Sequence, residues 1–257
     1  MFSLTGCAIS APRQYLCHIN HMNIPKKIDP ERLKDTIVEI RFKSEVPFEY
    51  RLGFCYEVLK SMSVIPMPSF NAHSIELDPT NFFTLDYPKN LFEDDAIRLR
   101  ITDDRLIFNT NGRYCGWKDF GQSIQNIVKK LFSEGLLGEF NWVGLRYVSE
   151  FEKIQIFEKL IWDFQFDWQG VKSINTTFRT EWVDESDHVI VNLVNNVQRE
   201  SDFYSLMDID INYAIELQSS TPVETLFEHI ERLHVKEKTV FFGLMKPAFL
   251  ELLNPIY

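Results

Sequence analysis

Asp208 and Asp210 stand two positions apart in the run Leu206-Met207-Asp208-Ile209-Asp210, whose alternation is that of a β-strand. Residues i and i+2 of a strand share a face about 6.5–7 Å apart, so both carboxylates point the same way. Such a pair can hold Mg²⁺, with Glu181 as a third oxygen ligand, as phosphoryl-transfer and nuclease sites do. The same pair can instead be neutralised by arginines on neighbouring strands. The sequence supplies them. Arg41, Arg98, Arg100, Arg146 and Arg179 each lie in an alternating segment, on the side away from the apolar residues, and Glu39, Glu150 and Asn212 occupy equivalent positions. A guanidinium fork grips carboxylate or phosphate in a bidentate manner that lysine cannot reproduce, so an arginine-rich face suits binding.

Other reactive residues carry weaker patterns. Gly116 and Gly121 have the spacing of a phosphate-binding loop, but the lysine that reaches the phosphates is missing, and Trp117 and Phe120 between them belong to an apolar helical stripe. No G-x-G fingerprint and no G-x-S-x-G nucleophile elbow occurs, so no nucleotide or other cofactor is expected and acyl-transfer chemistry has no support. His229 and His234 are five apart, which sets them about 140° apart around a helix; they cannot share a metal, and His234 reads as a core residue. Cys7, Cys17, His18 and His21 could in number close a zinc site, but their spacing fits no finger, and adjacent Cys17 and His18 would strain the chain between them. Cys55 falls on an apolar stripe and reads as core.

These side chains need a scaffold that fixes their facing. The 257 residues are 45% hydrophobic and 25% charged, the composition of an ordinary globular chain large enough to bury a core without disulfides. The formal charge is −10, and residues 1–28 hold Arg13, Lys26 and Lys27 with no acid, so the rest is more acidic still. Such a body repels duplex DNA and anionic lipid, which argues against nonspecific nucleic-acid binding. No apolar run approaches the ~20 residues that span a bilayer, and the cysteine usage suits a reducing cytoplasm.

The alternation of residues 36–43 predicts a strand, and Cys55, Val58, Leu59 and Met62 predict a helix after it. Strands are expected at 82–86, 96–101 and 105–109, the last two joined by an Asp103-Asp104 turn, then a helix over 117–132 ended by Gly135. The order then repeats. A strand at 141–152 is followed by a helical stripe through Phe157, Leu160, Ile161 and Phe164, strands near 173–182, 188–197 and 204–216, and a helix capped by Thr221 with Pro222 at its first position. The expected fold is therefore α+β: two tandem strand-helix-three-strand-helix halves, residues 29–138 and 139–257, after a flexible extension at 1–28. They would form one curved, mostly antiparallel sheet covered by helices on one face.

Three stretches, Ile37-Val38-Glu39-Ile40-Arg41-Phe42, Gly144-Leu145-Arg146-Tyr147-Val148, and Leu206 to Asp210 followed by a helix from His234 and by Phe249 to Leu253, resemble a sporadically distributed, functionally uncharacterised bacterial family of about 250–270 residues. The resemblance begins near Met22. It implies a bacterial cytoplasmic protein, accessory to a defence or toxin-neutralising locus, and offers Arg41, Arg146, Asp208 and Asp210 as recurrent positions without a catalytic role. Together these readings favour a non-enzymatic binding or regulatory protein that meets a protein partner, or a second copy of itself, through the charged face or its acidic surface. A metal-dependent hydrolase or nuclease built on Asp208 and Asp210 is the alternative.

Overall fold

The structure, a computed structural model, is described over residues 23–66, 91–93, 97–110, 114–164, 176–199, 202–215 and 222–257. A short β1 (Lys27–Ile28) leads into β2 (Leu33–Phe42), α1 (Phe48–Ser61), β3 (Ile65–Pro66), β4 (Leu91–Glu93), β5 (Ile97–Ile101), β6 (Arg105–Thr110) and α2 (Trp117–Ser133). The second half runs β7 (Phe140–Glu152), a 3₁₀ turn at Ile156–Lys159, β8 (Thr176–Asp184), β9 (Asp187–Arg199), β10 (Asp202–Ala214), α3 (Val223–Leu244), α4 (Pro247–Leu252) and β11 (Pro255–Ile256). Nine strands form one sheet in the order β3-β4-β5-β6-β2-β7-β10-β9-β8, and the described pairings are all antiparallel.

The order is symmetric about its middle. Each half places its first strand, β2 or β7, at the centre and its last, β6 or β10, beside it, with earlier strands further out. The two central strands pair from Leu33 opposite Ser149 to Phe42 opposite Phe140, which joins the halves into one sheet. Alternation decides the layers. Val38, Ile40 and Phe42 of β2, Val143 and Leu145 of β7 and Ile209 and Ile211 of β10 are buried on one face. There they meet Phe120, Ile124 and Val128 of α2 and Leu226, Ile230 and Leu233 of α3 in a core that runs through both halves. The helices lie on that side and the sheet is not closed.

Several expectations shift in detail. The stripe from Phe157 to Phe164 does not make an α-helix; a single 3₁₀ turn stands there, and Phe157, Trp162 and Phe164 instead form an aromatic cluster with Phe178. Pro222 is the N-cap residue of α3 and not its first helical residue, and its carbonyl accepts from Thr225 N. Residues 27 and 28, which the sequence reading placed in a flexible extension, form a strand: Lys27 and Ile28 pair with Ile256 and Pro255, and Ile28 is buried. The expected strand at 82–86, the Thr221 cap and the Cys7, Cys17, His18 and His21 group lie outside the described residues. Cys55 is buried as expected, and burial pushes its thiol up to about 11. Gly135 follows α2 with φ 70°, the left-handed conformation that favours glycine there. Among the described residues no helix is long and apolar enough to cross a membrane.

Candidate functional site

The strand register carries every arginine and carboxylate of the sequence reading to the sheet face opposite the helices. From one edge inward, Glu93 pairs Arg98, Arg98 pairs Asn109, and Arg100 pairs Ile107. Asn109 pairs Ile37, Glu39 pairs Ile107 and Gly144, and Arg41 pairs Arg105 and Trp142. Beyond the centre Arg146 pairs Asp210, Asp208 pairs Asn192, and Arg179 and Glu181 of β8 pair Asn192 and Ile190 of β9. Residues that are opposite across a ladder share a face, so the group is spatially connected.

At its centre Arg146 stands directly opposite Asp210 on the ladder and closes its fork on the next residue of that face. It reaches the diagonal neighbour, with Nε donating to Asp208 Oδ1 at 2.7 Å and Nη2 to Oδ2 at 2.9 Å. Asn192 Nδ2 donates to Asp208 Oδ2 at 2.9 Å, and Arg179 Nη1 donates to Asn192 Oδ1 at 3.1 Å. Asp208 is fully buried and Arg146 nearly so, which makes this a desolvated, bidentate pair whose geometry is held from both sides. Asp210 lies beside it with Asn212 Nδ2 at 3.4 Å; burial first, then the Asp208 carboxylate, pushes its carboxyl up to about 6.

A second chain of contacts runs through the first half. Arg100 donates to Asn109 Oδ1, and Asn109 Nδ2 donates to Asp35 at 3.0 and 3.1 Å. Burial raises the Asp35 carboxyl, against the pull of the Asn109 hydrogen bonds. Glu39 separates two arginines that register sets opposite each other, accepting from Arg41 Nε at 2.6 Å and Arg105 Nη1 at 3.2 Å. The remaining face arginines keep ion pairs nearer water: Arg98 with Glu93 at 3.2 Å and Arg179 with Glu181 at 3.1 Å. Glu150, nearly buried, takes Lys34 at 3.1 Å.

The Arg41 guanidinium also lies over the Trp142 ring, 4.2 Å from its centroid. Gly144 makes the room: a Cβ there would run into the six-membered part of the Trp142 indole, which folds along its own strand. Asp35, Asn109, Asn192, Arg105 and Trp142 were not singled out by sequence. The two asparagines carry no charge to mark them, and only their place on the ladder shows that they bridge charged partners.

On the helix side of β7 a further polar group went unread. Tyr147 Oη is 3.0 Å from His234 Nδ1, and Tyr114 Oη is 3.4 Å from Tyr147 Oη. Trp117 stacks on the His234 ring at 4.0 Å. Burial, helped by the Lys238 charge, pushes His234 down to about 3, so the imidazole is neutral. His234 is thus the satisfied core residue its helix stripe implies.

As for metal, Asp208 has both oxygens engaged by Arg146 and Asn192. Among the described residues no three His, Cys, Asp or Glu side chains gather as a metal-ion ligand set. Fold and face together define an open-faced α+β protein of two similarly ordered halves. No protein-family model matches the chain, and no curated protein matches it either.

Proposed function

We propose that this chain is a non-enzymatic binding protein that engages a protein partner through the sheet face opposite its described helices. The observation that carries the reading is the Arg41–Trp142 stack at the central strand pair. An arginine and a tryptophan, the residue types most enriched among energetically dominant contacts, lie on the sheet face opposite the described helices. Arg41, Arg98 and Arg179 keep 38%, 45% and 51% of their side-chain surface exposed, while Asp208 on the same face keeps none. A locked centre with solvated arginines around it presents a preformed surface, and preorganisation lowers the entropy lost on association. The partner chemistry that fits is a protein surface carrying carboxylates within reach of these forks.

The test uses the intact chain as bait in cells that carry it natively, followed by measured binding of the recovered protein to wild type, Arg41→Ala and Trp142→Leu. Loss of about tenfold or more in affinity for each variant, with melting points kept within a few degrees, is expected of dominant contacts. Equal affinity for all three chains removes the face from function. A metal-dependent hydrolase would require Arg146 to release Asp208; Mg²⁺ or Mn²⁺ that raises the melting point of the wild type but not of Asp208→Ala would favour it instead.

A further inference from the structure

Between β7 and α3, on the side of the sheet away from the charged face, lies a cavity of about 780 Å³ bounded also by the β1–β2 segment and residues 114–118. That size is within the usual range for small-molecule sites. Its interior is aromatic: Trp117 lies flat on His234, Phe241 and Phe242 meet edge to face at 5.0 Å, and Tyr114 and Tyr147 add their rings. Into it faces Glu237, which is 2% exposed and has no hydrogen bond or ion pair with any described residue. A carboxyl taken out of water without a partner is costly, and folding offers nothing here in return.

We propose that this cavity binds a small organic amine as its ammonium ion, with the Glu237 carboxylate as counter-ion and the aromatic side chains packed around the carbon skeleton. An ammonium supplies the hydrogen-bond donors and the positive charge that Glu237 lacks, and ring faces attract a cation where they replace water. The groups deep in the site do not compete for it. His234 is neutral, and burial keeps the Tyr114 and Tyr147 phenols protonated. Glu31 faces Glu237 from the β1–β2 segment and adds negative charge, while Lys238 follows it on the helix. Asp29 and the exposed lysines Lys26, Lys27 and Lys118 also line the cavity, and Lys26 gives its Nζ to the Tyr257 carbonyl at 2.9 Å. Burial holds Glu237 up at about 8, so its carboxyl carries a proton that an entering ammonium displaces to solvent. This inference is independent of the sheet-face reading, since the two sites lie on opposite sides of β7.

The test is calorimetric titration and thermal shift of the full chain with 2-phenylethylamine, agmatine and spermidine. Controls are 2-phenylethanol, which has the same skeleton without charge, and phenylacetate, which reverses it. At least one amine is expected to bind and raise the melting point while both controls do not. Glu237→Gln is expected to weaken that amine about 30-fold or more, as loss of one member of a buried charge pair does. Because it removes a carboxyl that burial disfavours, this variant keeps its fold. Trp117→Leu is expected to weaken binding by about three- to thirtyfold through loss of the ring face. No shift with any amine, undiminished binding to Glu237→Gln, or equal or stronger binding of 2-phenylethanol or phenylacetate each overturns the proposal.

Discussion

At the scale of single residues the two faces of β7 use opposite means to hold buried polar groups. Asp208 is satisfied by Arg146 and Asn192, whereas Glu237 is satisfied by no described neighbour and keeps its proton. That difference is measurable through proton linkage. Glu237 titrates at about 8 when folded against an ordinary 4.5, so between those values the native state holds a proton that the unfolded chain has lost. Stability contributed by this group therefore falls as pH rises through the window. His234 acts in the other direction: its folded value of about 3 against 6.5 means that stability falls as pH drops below about 6.5. Glu237→Gln should accordingly gain stability relative to wild type by on the order of a few kcal/mol more at pH 8 than at pH 5 in urea titrations. A gap of the same size at both pH values would mean that Glu237 is ionised throughout. Gly144 gives a second prediction at this scale. Gly144→Ala forces the Trp142 indole off its strand and unseats Arg41, for a loss of about 1–3 kcal/mol with a changed tryptophan fluorescence spectrum.

At the scale of elements, one buried arginine ties a helix to a hairpin. Arg51 of α1 is 2% exposed, lies over Phe42 and Phe48, and donates through Nη2 to the Thr102 carbonyl at 3.2 Å and to the Asp103 carbonyl. Those carbonyls form the β5–β6 turn, so Arg51→Met should leave both without this donor and destabilise the chain by about 1–3 kcal/mol. Hydrogen-exchange protection should fall most at residues 97–110; uniform loss across the sheet would mean that Arg51 acts only through packing. This link was hidden in the sequence, where Arg51 is one more charge on an amphipathic helix. Legibility followed periodicity. β2, β6, β7 and β10 and the stripes of α2 and α3 alternate or recur strongly enough to be read, and with them the shared face of Arg41, Arg146 and Asp208. The segment after β7 misled because its aromatic residues fall at helical spacing, while their real partner is Phe178 on β8. Pairing geometry was equally unreadable: alternation puts Arg146 beside both Asp208 and Asp210, and only the three-dimensional arrangement shows its fork closing on the diagonal Asp208.

At the scale of the whole molecule, the symmetric strand order makes the two halves depend on each other. β2 and β7, the central strands of the sheet, are outer strands of their halves unless paired with one another. A half on its own would expose a long apolar edge, with Val38, Ile40 and Phe42 or Val143 and Leu145 beside unpaired backbone groups, the arrangement that drives strand-to-strand aggregation. The core offers no seam to match the one in the chain, since α2 and α3 pack into a single apolar cluster. Residues 134–138 are nevertheless a natural place to divide the polypeptide, because α2 has ended there and β7 has not begun. Fragments 1–138 and 139–257, produced separately, are expected to be insoluble or to lack cooperative melting. Produced together they should associate as a one-to-one complex that recovers the β2–β7 ladder, because closing a short connection contributes far less than that interface. Fragments that each melt cooperatively as monomers would show that the central ladder is a contact between two finished domains, and the charged face that crosses it would then lose its rigid frame.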